Sequence, residues 1–313
     1  MPPTPPLRTA LIGLSSSAIT SWASSAHLPG LLTPKGRSTL PITALLNSSV
    51  AAAQASIEKY GLDPSTKAYG SPEDLANDPD IDLVICNTRV DKHFETILPS
   101  VRRGKDVFVE WPVAGNVQDI ETLIEEAGRS GILDTVLSVV GDVSPDTAHS
   151  QLQLQRPDVR IRDPTTNKII RTVKSNVPDL VSFHAQLESS ATLSYYFRRG
   201  QPFPGDPALT WSINLEHAEV KLVSPSGLNL ETGEPAKILV HWYDSDEVEE
   251  VKWEGDAEFE ELGGSARNVI RTLLAFGEGE EAGEGWVSLK DAAGRARLIE
   301  GFIRGWEESR GDV

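Results

Sequence analysis

The alternation of short apolar segments with helical patterns in the first 130 residues restricts the fold more than any other feature of this chain. Apolar strands are predicted at residues 7–12, 40–46, 81–86 and 106–109, and helices at 18–32, 50–60, 71–77, 91–103 and from 117 onward. The segment at 81–86 is apolar except for Asp82, as expected of a strand with helices on both faces. This order predicts a doubly wound parallel sheet that binds any ligand at the carboxyl ends of its strands.

The chain beyond Gly131 follows a different pattern. Residues 132–140 form one more apolar segment, which is predicted to be helical. From about Asp146, apolar and polar residues alternate with a period of two, and two striped helices are predicted near 269–274 and 292–306. We therefore predict a second domain of α+β type with a largely antiparallel sheet, and domain limits of 7–131 and 132–313.

The turn after the first strand has the sequence Gly13-Leu14-Ser15-Ser16-Ser17-Ala18. A dinucleotide site has the pattern G-x-G-x-x-G or A at this place, because backbone N–H groups at a helix start must approach the diphosphate closely. Only the first glycine of that pattern is present. The three serines still offer hydroxyl and amide donors, although a β-carbon at Ser15 narrows the approach. An ordinary polar turn is the alternative.

Polar residues also follow the other predicted strands, at Asn47, Asn87–Arg89 and Glu110–Pro112. The topology brings these strand ends to one edge of the sheet. An acidic residue at position 47 would bind the ribose of NAD and repel the extra phosphate of NADP, whereas Asn47 permits either cofactor. Arg89 is expected to reach a phosphate or to lie in solvent.

Three motifs carry a family resemblance. The turn at 13–18 is followed by Ala26-His27-Leu28-Pro29, and Thr88-x-x-x-x-His93 is followed by Gly104-Lys105-Asp106-Val107-Phe108-Val109-Glu110-Trp111-Pro112. The third motif is Gly285-Trp286-Val287-Ser288-Leu289-Lys290-Asp291-Ala292. Together they resemble the Gfo/Idh/MocA superfamily of NAD(P)-dependent oxidoreductases, closely over residues 7–130. The Glu-Trp-Pro form resembles the branch that contains the galactose-regulon repressor.

The resemblance implies a Rossmann-type α/β domain that binds NAD or NADP. It also implies hydride transfer at a hydroxyl of a sugar or cyclitol, which needs a general base. The implied catalytic residues are Glu110 and His93. The implied cofactor contacts are Gly13, Leu14, Ser15, Ser16, Ser17, Asn47, Thr88, Arg89, His93, Glu110, Trp111 and Pro112.

The sequence departs from the family in two places. Trp111 replaces the lysine of the family motif, and tryptophan cannot accept a proton. Beyond Gly131, Asp134 matches the family's catalytic aspartate, but the histidine is missing and the last crossover of the Rossmann domain is not recognisable. Two functions therefore remain open, an oxidoreductase and a catalytically inactive dinucleotide-binding regulator or truncated pseudoenzyme.

Both candidate catalytic residues also have a structural interpretation. His93 lies at a helix start and could serve only to order the neighbouring loop. Glu110 could be a buried carboxylate that is bonded to the backbone. The sequence leaves these alternatives open.

Composition excludes several other classes of protein. A formal charge of −17 argues against nucleic-acid and anionic membrane surfaces, and the acidic run at 247–261 is expected to be solvated or, alternatively, a docking surface. The single cysteine, Cys86, excludes an internal disulfide, and the scattered histidines show no metal-ligand spacing. The N-terminus lacks the pattern of a signal peptide, so we expect a cytoplasmic protein, or a nuclear one if it is a regulator.

The expected partners are a sugar-like small molecule, or none, and a second copy of the chain. We expect the homodimer to form through aromatic residues on the sheet of the second domain. These aromatic residues are Tyr195, Tyr196, Phe197, Trp211 and Trp242.

Overall fold

The computed structural model describes residues 6–17, 21–127, 143–163, 166, 168–200, 202–225, 236–252, 259–279 and 289–310. The helix predicted at 132–140 and the residues Gly131 and Asp134 lie outside these ranges. By their contacts, the described residues form two compact units. One contains the described residues up to 127 together with 202–279, and the other contains those of 143–200 together with 290–310. The domain limits of 7–131 and 132–313 remain a prediction.

The first unit contains a five-stranded parallel sheet. Its strands in chain order are β1 (Thr9–Ile12), β2 (Ile42–Leu46), β3 (Lys67–Tyr69), β4 (Leu83–Cys86) and β5 (Asp106–Val109). Their spatial order is β3-β2-β1-β4-β5, so the direction of winding reverses between β1 and β4. The predicted parallel sheet is confirmed, and β3 is an addition, because three partly exposed residues are too few to show a periodic pattern.

Helices connect these strands, and all except the one at residues 34–39 overlap predicted helices. They are α1 (Leu28–Leu31), preceded by a π-helical turn at Ala23–His27, then α2 (Pro34–Thr39), α3 (Val50–Lys59), α4 (Pro72–Ala76), α5 (Val90–Arg102) and α6 (Val117–Ala127). Ser71 and Asn116 stand where the sequence predicts the N-caps of α4 and α6. The Ser71 hydroxyl and the Asn116 side-chain oxygen accept backbone N–H groups of the first turn, which confirms both caps. Asp91, the predicted cap of α5, instead lies inside that helix, which begins after Arg89.

The first helix differs from its prediction. The spacing of Trp22, Ala26 and Leu28 predicts one buried face for this helix. Ala26 and Leu28 are buried, but Trp22 is 47% exposed. Trp22 is exposed because its indole N–H donates a hydrogen bond to Glu110 at 2.8 Å. This bond holds the ring at the edge of the sheet instead of in the core.

A helix from the C-terminal third of the chain completes the core of the first unit. In α7 (Gly264–Gly277), the fully buried Ile270 and Leu273 belong to the same apolar cluster as Leu11 and Leu31. A β-carbon on Gly30 would lie 2.4 Å from the Cβ of Ile270, so this contact between α1 and α7 requires glycine.

The buried carboxylate of Asp78 lies beside β3, an edge strand of the parallel sheet. Asp78 accepts hydrogen bonds from the Lys67 ammonium at 2.8 Å, the Tyr69 hydroxyl at 2.5 Å and the Asp80 amide at 2.9 Å. Burial opposes ionisation of Asp78, but these hydrogen bonds and the charge of Lys67 outweigh it and lower its pKa to about 2.

The second unit contains two antiparallel sheets and a helix. Its elements are β6 (His149–Gln153), β7 (Asp158–Arg162), β8 (Ile169–Lys174), β9 (Leu180–Gln186), β10 (Thr192–Arg198) and α8 (Leu289–Arg310). Strands β10-β9-β6 form one sheet and β7-β8 the other. The predicted alternation in β9 is confirmed, because Phe183 and Ala185 are buried near Phe302 of α8 whereas His184 is exposed.

The remaining strands form a four-stranded antiparallel sheet in the order β11 (Leu209–Asn214), β12 (Ala218–Ser224), β13 (Lys237–Trp242) and β14 (Glu247–Val251). All residues of the edge strand β14 are exposed, which agrees with a solvated acidic run and equally with the alternative of a docking surface. No helix in the described part of the chain is long and apolar enough to cross a bilayer.

Candidate functional site: the carboxyl edge of the parallel sheet

Gly13 brings the turn after β1 into close contact with the end of β4. Its φ is +88°, and a β-carbon there would lie 2.9 Å from the carbonyl oxygen of Asn87. The Asn87 amide in turn donates to the Ile12 carbonyl at 3.0 Å. Both the backbone angle and the short contact therefore require glycine at this position.

The backbone carbonyl groups of residues 14, 15 and 16 all accept hydrogen bonds from side chains at the end of β2 or at the end of α3. Leu14 O accepts the Asn47 amide at 2.9 Å. Ser15 O accepts the Tyr60 hydroxyl at 2.9 Å, and Ser16 O accepts the Lys59 ammonium at 2.6 Å. In a trans peptide the N–H points opposite to the C=O, so the amides of residues 15–17 point away from α3. The turn thus orients three successive N–H groups in one direction, and the last of them, the Ser17 N–H, donates to the Ser15 hydroxyl at 3.2 Å.

Asn47 holds this turn in place. Besides Leu14 O, its Nδ2 atom lies 3.1 Å from the Ser56 hydroxyl and 3.3 Å from the Ala52 carbonyl. The side chain expected to contact the ribose is therefore engaged with the protein, and it places no negative charge at the end of β2.

Asn87 lies at the end of β4, at the reversal point of the sheet, and its side chain is polar but unpaired. Both its Nδ2 and its Oδ1 are buried, and neither has a hydrogen-bond partner among the described residues. A buried unpaired polar atom costs roughly 1–3 kcal/mol. The sequence places Asn87 at the correct edge but gives no sign that its amide is unpaired.

Glu110 at the end of β5 is the centre of a polar cluster. Its Oε1 accepts the Trp22 indole N–H at 2.8 Å and the His27 Nε2–H at 2.5 Å. Burial raises the pKa of Glu110, but the hydrogen bonds from His27 and Trp22 and the nearby histidine charges outweigh this and hold the pKa below its usual value. The His27 ring is fully buried and packs edge-on against Phe108 at 5.6 Å.

Sequence reasoning did not assign a function to Trp22 or His27. His27 belongs to the Ala26–Pro29 segment that carries part of the family resemblance, which was the available signal. The apolar periodicity predicts a core position for Trp22, because it does not distinguish a buried ring from one held at an edge by its N–H.

His93 connects two of the loops at this edge. Its Nδ1 lies 2.9 Å from the Pro112 carbonyl and its Nε2 lies 2.9 Å from the Thr88 carbonyl, and the ring is buried. This geometry matches the interpretation that His93 orders the loops after β4 and β5. The catalytic assignment of His93 remains a prediction.

The remaining candidates surround this cluster. Trp111 is 44% exposed, and the Trp111–Pro112 peptide is cis. The Thr88 hydroxyl lies 3.3 Å from the Cys86 sulfur, and burial raises the pKa of that thiol. Arg89 is exposed and paired with Asp91 at 3.0 Å. In the described part of the chain, no three His, Cys, Asp or Glu residues are grouped to hold a metal ion.

These features fit a dinucleotide. A glycine turn that admits no β-carbon, three amides pointing the same way and an unpaired buried amide lie at the strand edge where such ligands bind. The fold and the site thus define a dinucleotide-binding protein of the Rossmann class. Residues 7–137 match the sequence model of the family described as "Oxidoreductase family, NAD-binding Rossmann fold", GFO_IDH_MocA. This part of the chain is thus similar to the Gfo/Idh/MocA family, an NAD-binding family, as the motifs predicted.

Curated relatives match the N-terminal part of the chain. The dehydrogenase aclE of Aspergillus oryzae is 36% identical over 121 residues, which are 39% of this chain and 32% of that protein. The galactose/lactose metabolism regulatory protein GAL80 of Saccharomyces cerevisiae is 28% identical over 151 residues, 46% of this chain and 33% of that protein. The chain therefore spans about a third of the length of these curated relatives.

Solved structures show a similar fold over almost the whole chain. A super-repressor mutant of Gal80p from Saccharomyces cerevisiae superposes with a TM-score of 0.78 at 17% identity, covering 97% of this chain and 96% of that one. An NAD binding oxidoreductase from Klebsiella pneumoniae gives 0.70 at 15% identity, covering 97% and 98%. The predicted resemblance to the galactose-repressor branch is confirmed.

Proposed function

We propose that this protein binds NAD or NADP at the carboxyl edge of the parallel sheet, with the diphosphate against the amides of residues 15–17. The observation that carries the proposal is the orientation of the turn. Three side chains hold the carbonyls of residues 14–16 toward α3, so the N–H groups present their positive ends on the other side. Such a row of amides at the switch point of a parallel sheet is suited to a phosphate.

Asn47 supports acceptance of both cofactors. The end of β2 carries an amide that is already bonded to Leu14, so no carboxylate repels the extra phosphate of NADP. The Lys59 ammonium at Ser16 O adds positive charge close to the turn. We propose that NADH and NADPH bind with affinities of the same order.

The groups at the other end of the edge support binding without efficient turnover. The bound cofactor would supply a hydride acceptor, and a hydroxyl that loses hydride must also give a proton to a base. Glu110 already accepts two hydrogen bonds on Oε1 and has a lowered pKa, which makes it a weak base. Both His93 nitrogens face backbone carbonyls, and Trp111 has no acceptor. This favours a catalytically inactive, dinucleotide-binding regulator, and one of the relatives, GAL80, is a regulatory protein.

An oxidoreductase is the second candidate. The 36% identity to a dehydrogenase and the family match favour hydride transfer at a sugar or cyclitol hydroxyl. One atom would be available for this chemistry: Glu110 Oε2 accepts no hydrogen bond from the described residues, and 27% of the side chain is exposed.

Two measurements separate these candidates. NADH and NADPH are titrated against the protein by tryptophan fluorescence, with Gly13→Val as the variant expected to lose binding and Gly61→Val as its control. The protein is then incubated with NAD, NADP and a panel of sugars and cyclitols while reduced cofactor is followed by absorbance. Binding without turnover supports the regulator. Turnover that is lost in Glu110→Gln or His93→Ala supports the enzyme, and no binding of either cofactor contradicts both candidates.

We further propose a homodimer that resides in the cytoplasm or, as a regulator, in the nucleus. Tyr195 and Tyr196 lie on β10 and Trp242 lies on β13 of a different sheet, so they do not share the single sheet that the sequence predicts. Their exposure supports self-association, since they are more apolar than a solvated strand face requires. Light scattering at micromolar concentration tests this, and the mass of a monomer would contradict it.

A further inference from the structure

The side chain of Asn87 is the unexplained polar group at the proposed site. Its amide offers a donor and an acceptor, and both atoms are buried without a partner in the described part of the chain. Of its backbone groups, the Asn87 N–H donates to Ile12 O, and the carbonyl oxygen faces Gly13, where an added β-carbon would lie 2.9 Å from it. The Asn87 side chain therefore offers an unpaired donor and an unpaired acceptor at the point where β1 and β4 end.

The neighbours of Asn87 determine which part of a dinucleotide it can reach. The strand order places β4 between β1, which carries the amide turn, and β5, which carries Glu110. Asn47 lies on the other side of the turn, at the end of β2. A dinucleotide whose diphosphate lies at the turn extends its adenosine half toward β2 and its nicotinamide half toward β4 and β5.

We propose that the Asn87 amide hydrogen-bonds a group of the nicotinamide half that both donates and accepts, either a hydroxyl of its ribose or its carboxamide. This inference rests on the proposed dinucleotide binding. A diphosphate only accepts hydrogen bonds, so it would leave Oδ1 unpaired, whereas a hydroxyl or a carboxamide pairs with both atoms. Asn87 is thus a ligand-binding residue that distinguishes the complete dinucleotide from its adenosine half.

The test uses the opposite effects that Asn87→Leu has on the free and the bound protein. In the free protein, leucine replaces an unpaired buried amide with an apolar group of similar size, so the thermal midpoint is expected to rise by about 3 °C. In the complex the ligand loses its partner, so the dissociation constant for NADH is expected to rise about 10-fold. A merely structural residue does not give opposite signs in these two measurements.

Ser100 provides the matched control. Its hydroxyl is also buried and without a partner among the described residues, but it lies in α5, near the C-terminal end of that helix. Like Asn87→Leu, Ser100→Ala is expected to raise the thermal midpoint of the free protein, but it is expected to leave the affinity for NADH unchanged. Asn87→Ala serves as a second variant with a smaller side chain if the leucine variant does not fold.

Truncated ligands identify the contacted group. ADP-ribose keeps the second ribose and lacks the nicotinamide, and ADP lacks both. A loss of affinity on Asn87→Leu with NADH and ADP-ribose but not with ADP assigns the contact to the ribose hydroxyl, and a loss with NADH alone assigns it to the carboxamide. An unchanged affinity for NADH, or an equal loss with ADP, would overturn the inference. If the unsubstituted protein binds none of the three ligands, the proposed function itself fails.

Discussion

Gly13→Ala is the substitution for which the structure predicts the largest effect at the proposed site. A residue with a β-carbon in the left-handed region costs about 1–2 kcal/mol. The added carbon would also lie 2.9 Å from the Asn87 carbonyl oxygen, a backbone atom that cannot rotate away. Overpacking of this kind adds about 1–3 kcal/mol, so the free energy of unfolding is expected to fall by about 3 kcal/mol in total.

Comparison with Gly61→Ala isolates the contribution of the contact between the added β-carbon of residue 13 and the Asn87 carbonyl oxygen. Gly61 also has a positive φ, +60°, but nothing lies within 4 Å of its added β-carbon, so only the backbone strain of about 1–2 kcal/mol applies. Both variants are compared by urea denaturation followed by tryptophan fluorescence, and by NADH titration. We expect Gly13→Ala to be less stable than Gly61→Ala and to bind NADH at least 10-fold more weakly. Equal stability together with wild-type affinity would refute the close approach of the turn to β4.

Three further predictions concern charged groups. Asn47→Asp adds a carboxylate at the end of β2, so NADPH is expected to bind more weakly relative to NADH by about 10-fold, measured as the ratio of their dissociation constants. Asp78 has its pKa lowered to about 2 by Lys67, so it stabilises the fold above its ordinary pKa of 3.8, and about 2 kcal/mol is lost as the pH falls from about 4 to about 2. When the free energy of unfolding is measured by urea denaturation across this pH range, the Asp78→Asn variant should lack this part of the loss. Glu110→Gln replaces charge-assisted hydrogen bonds with neutral ones, and we expect a loss of about 1 kcal/mol in unfolding free energy and a changed tryptophan emission spectrum.

The sequence was sufficient for the layered fold because its signals are local and repeated. Strands β1, β2, β4 and β5 are short apolar runs, and the caps at Ser71 and Asn116 mark helix starts. The three-residue strand β3 was missed, since it acquires its strand geometry from pairing with β2 and not from its own pattern. Only its pairing with β2 in the folded sheet identifies β3 as a strand.

The site was predictable in place but not in detail. The strand-end rule located Gly13, Asn47 and Glu110 at one edge, because parallel strands end there together. It could not show that Asn47 is bonded to Leu14, since that contact joins residues 33 positions apart.

Trp22 and His27 were missed for a related reason. Both contact Glu110, which is more than 80 positions away in sequence, and an apolar helix pattern assigns such residues to the core. Only the folded arrangement shows that their ring N–H groups meet one carboxylate oxygen.

The central claim is that a dinucleotide lies with its diphosphate against the turn that follows Gly13. Amide chemical shifts of the isotope-labelled protein during an NADH titration test this claim most directly. We expect saturable shifts for the amides of Ser15, Ser16 and Ser17 and for the Asn87 side chain, with the amides of β7 and β8 unchanged. Saturable binding that changes the chemical shifts of other amides but not those of residues 15–17 would contradict the account.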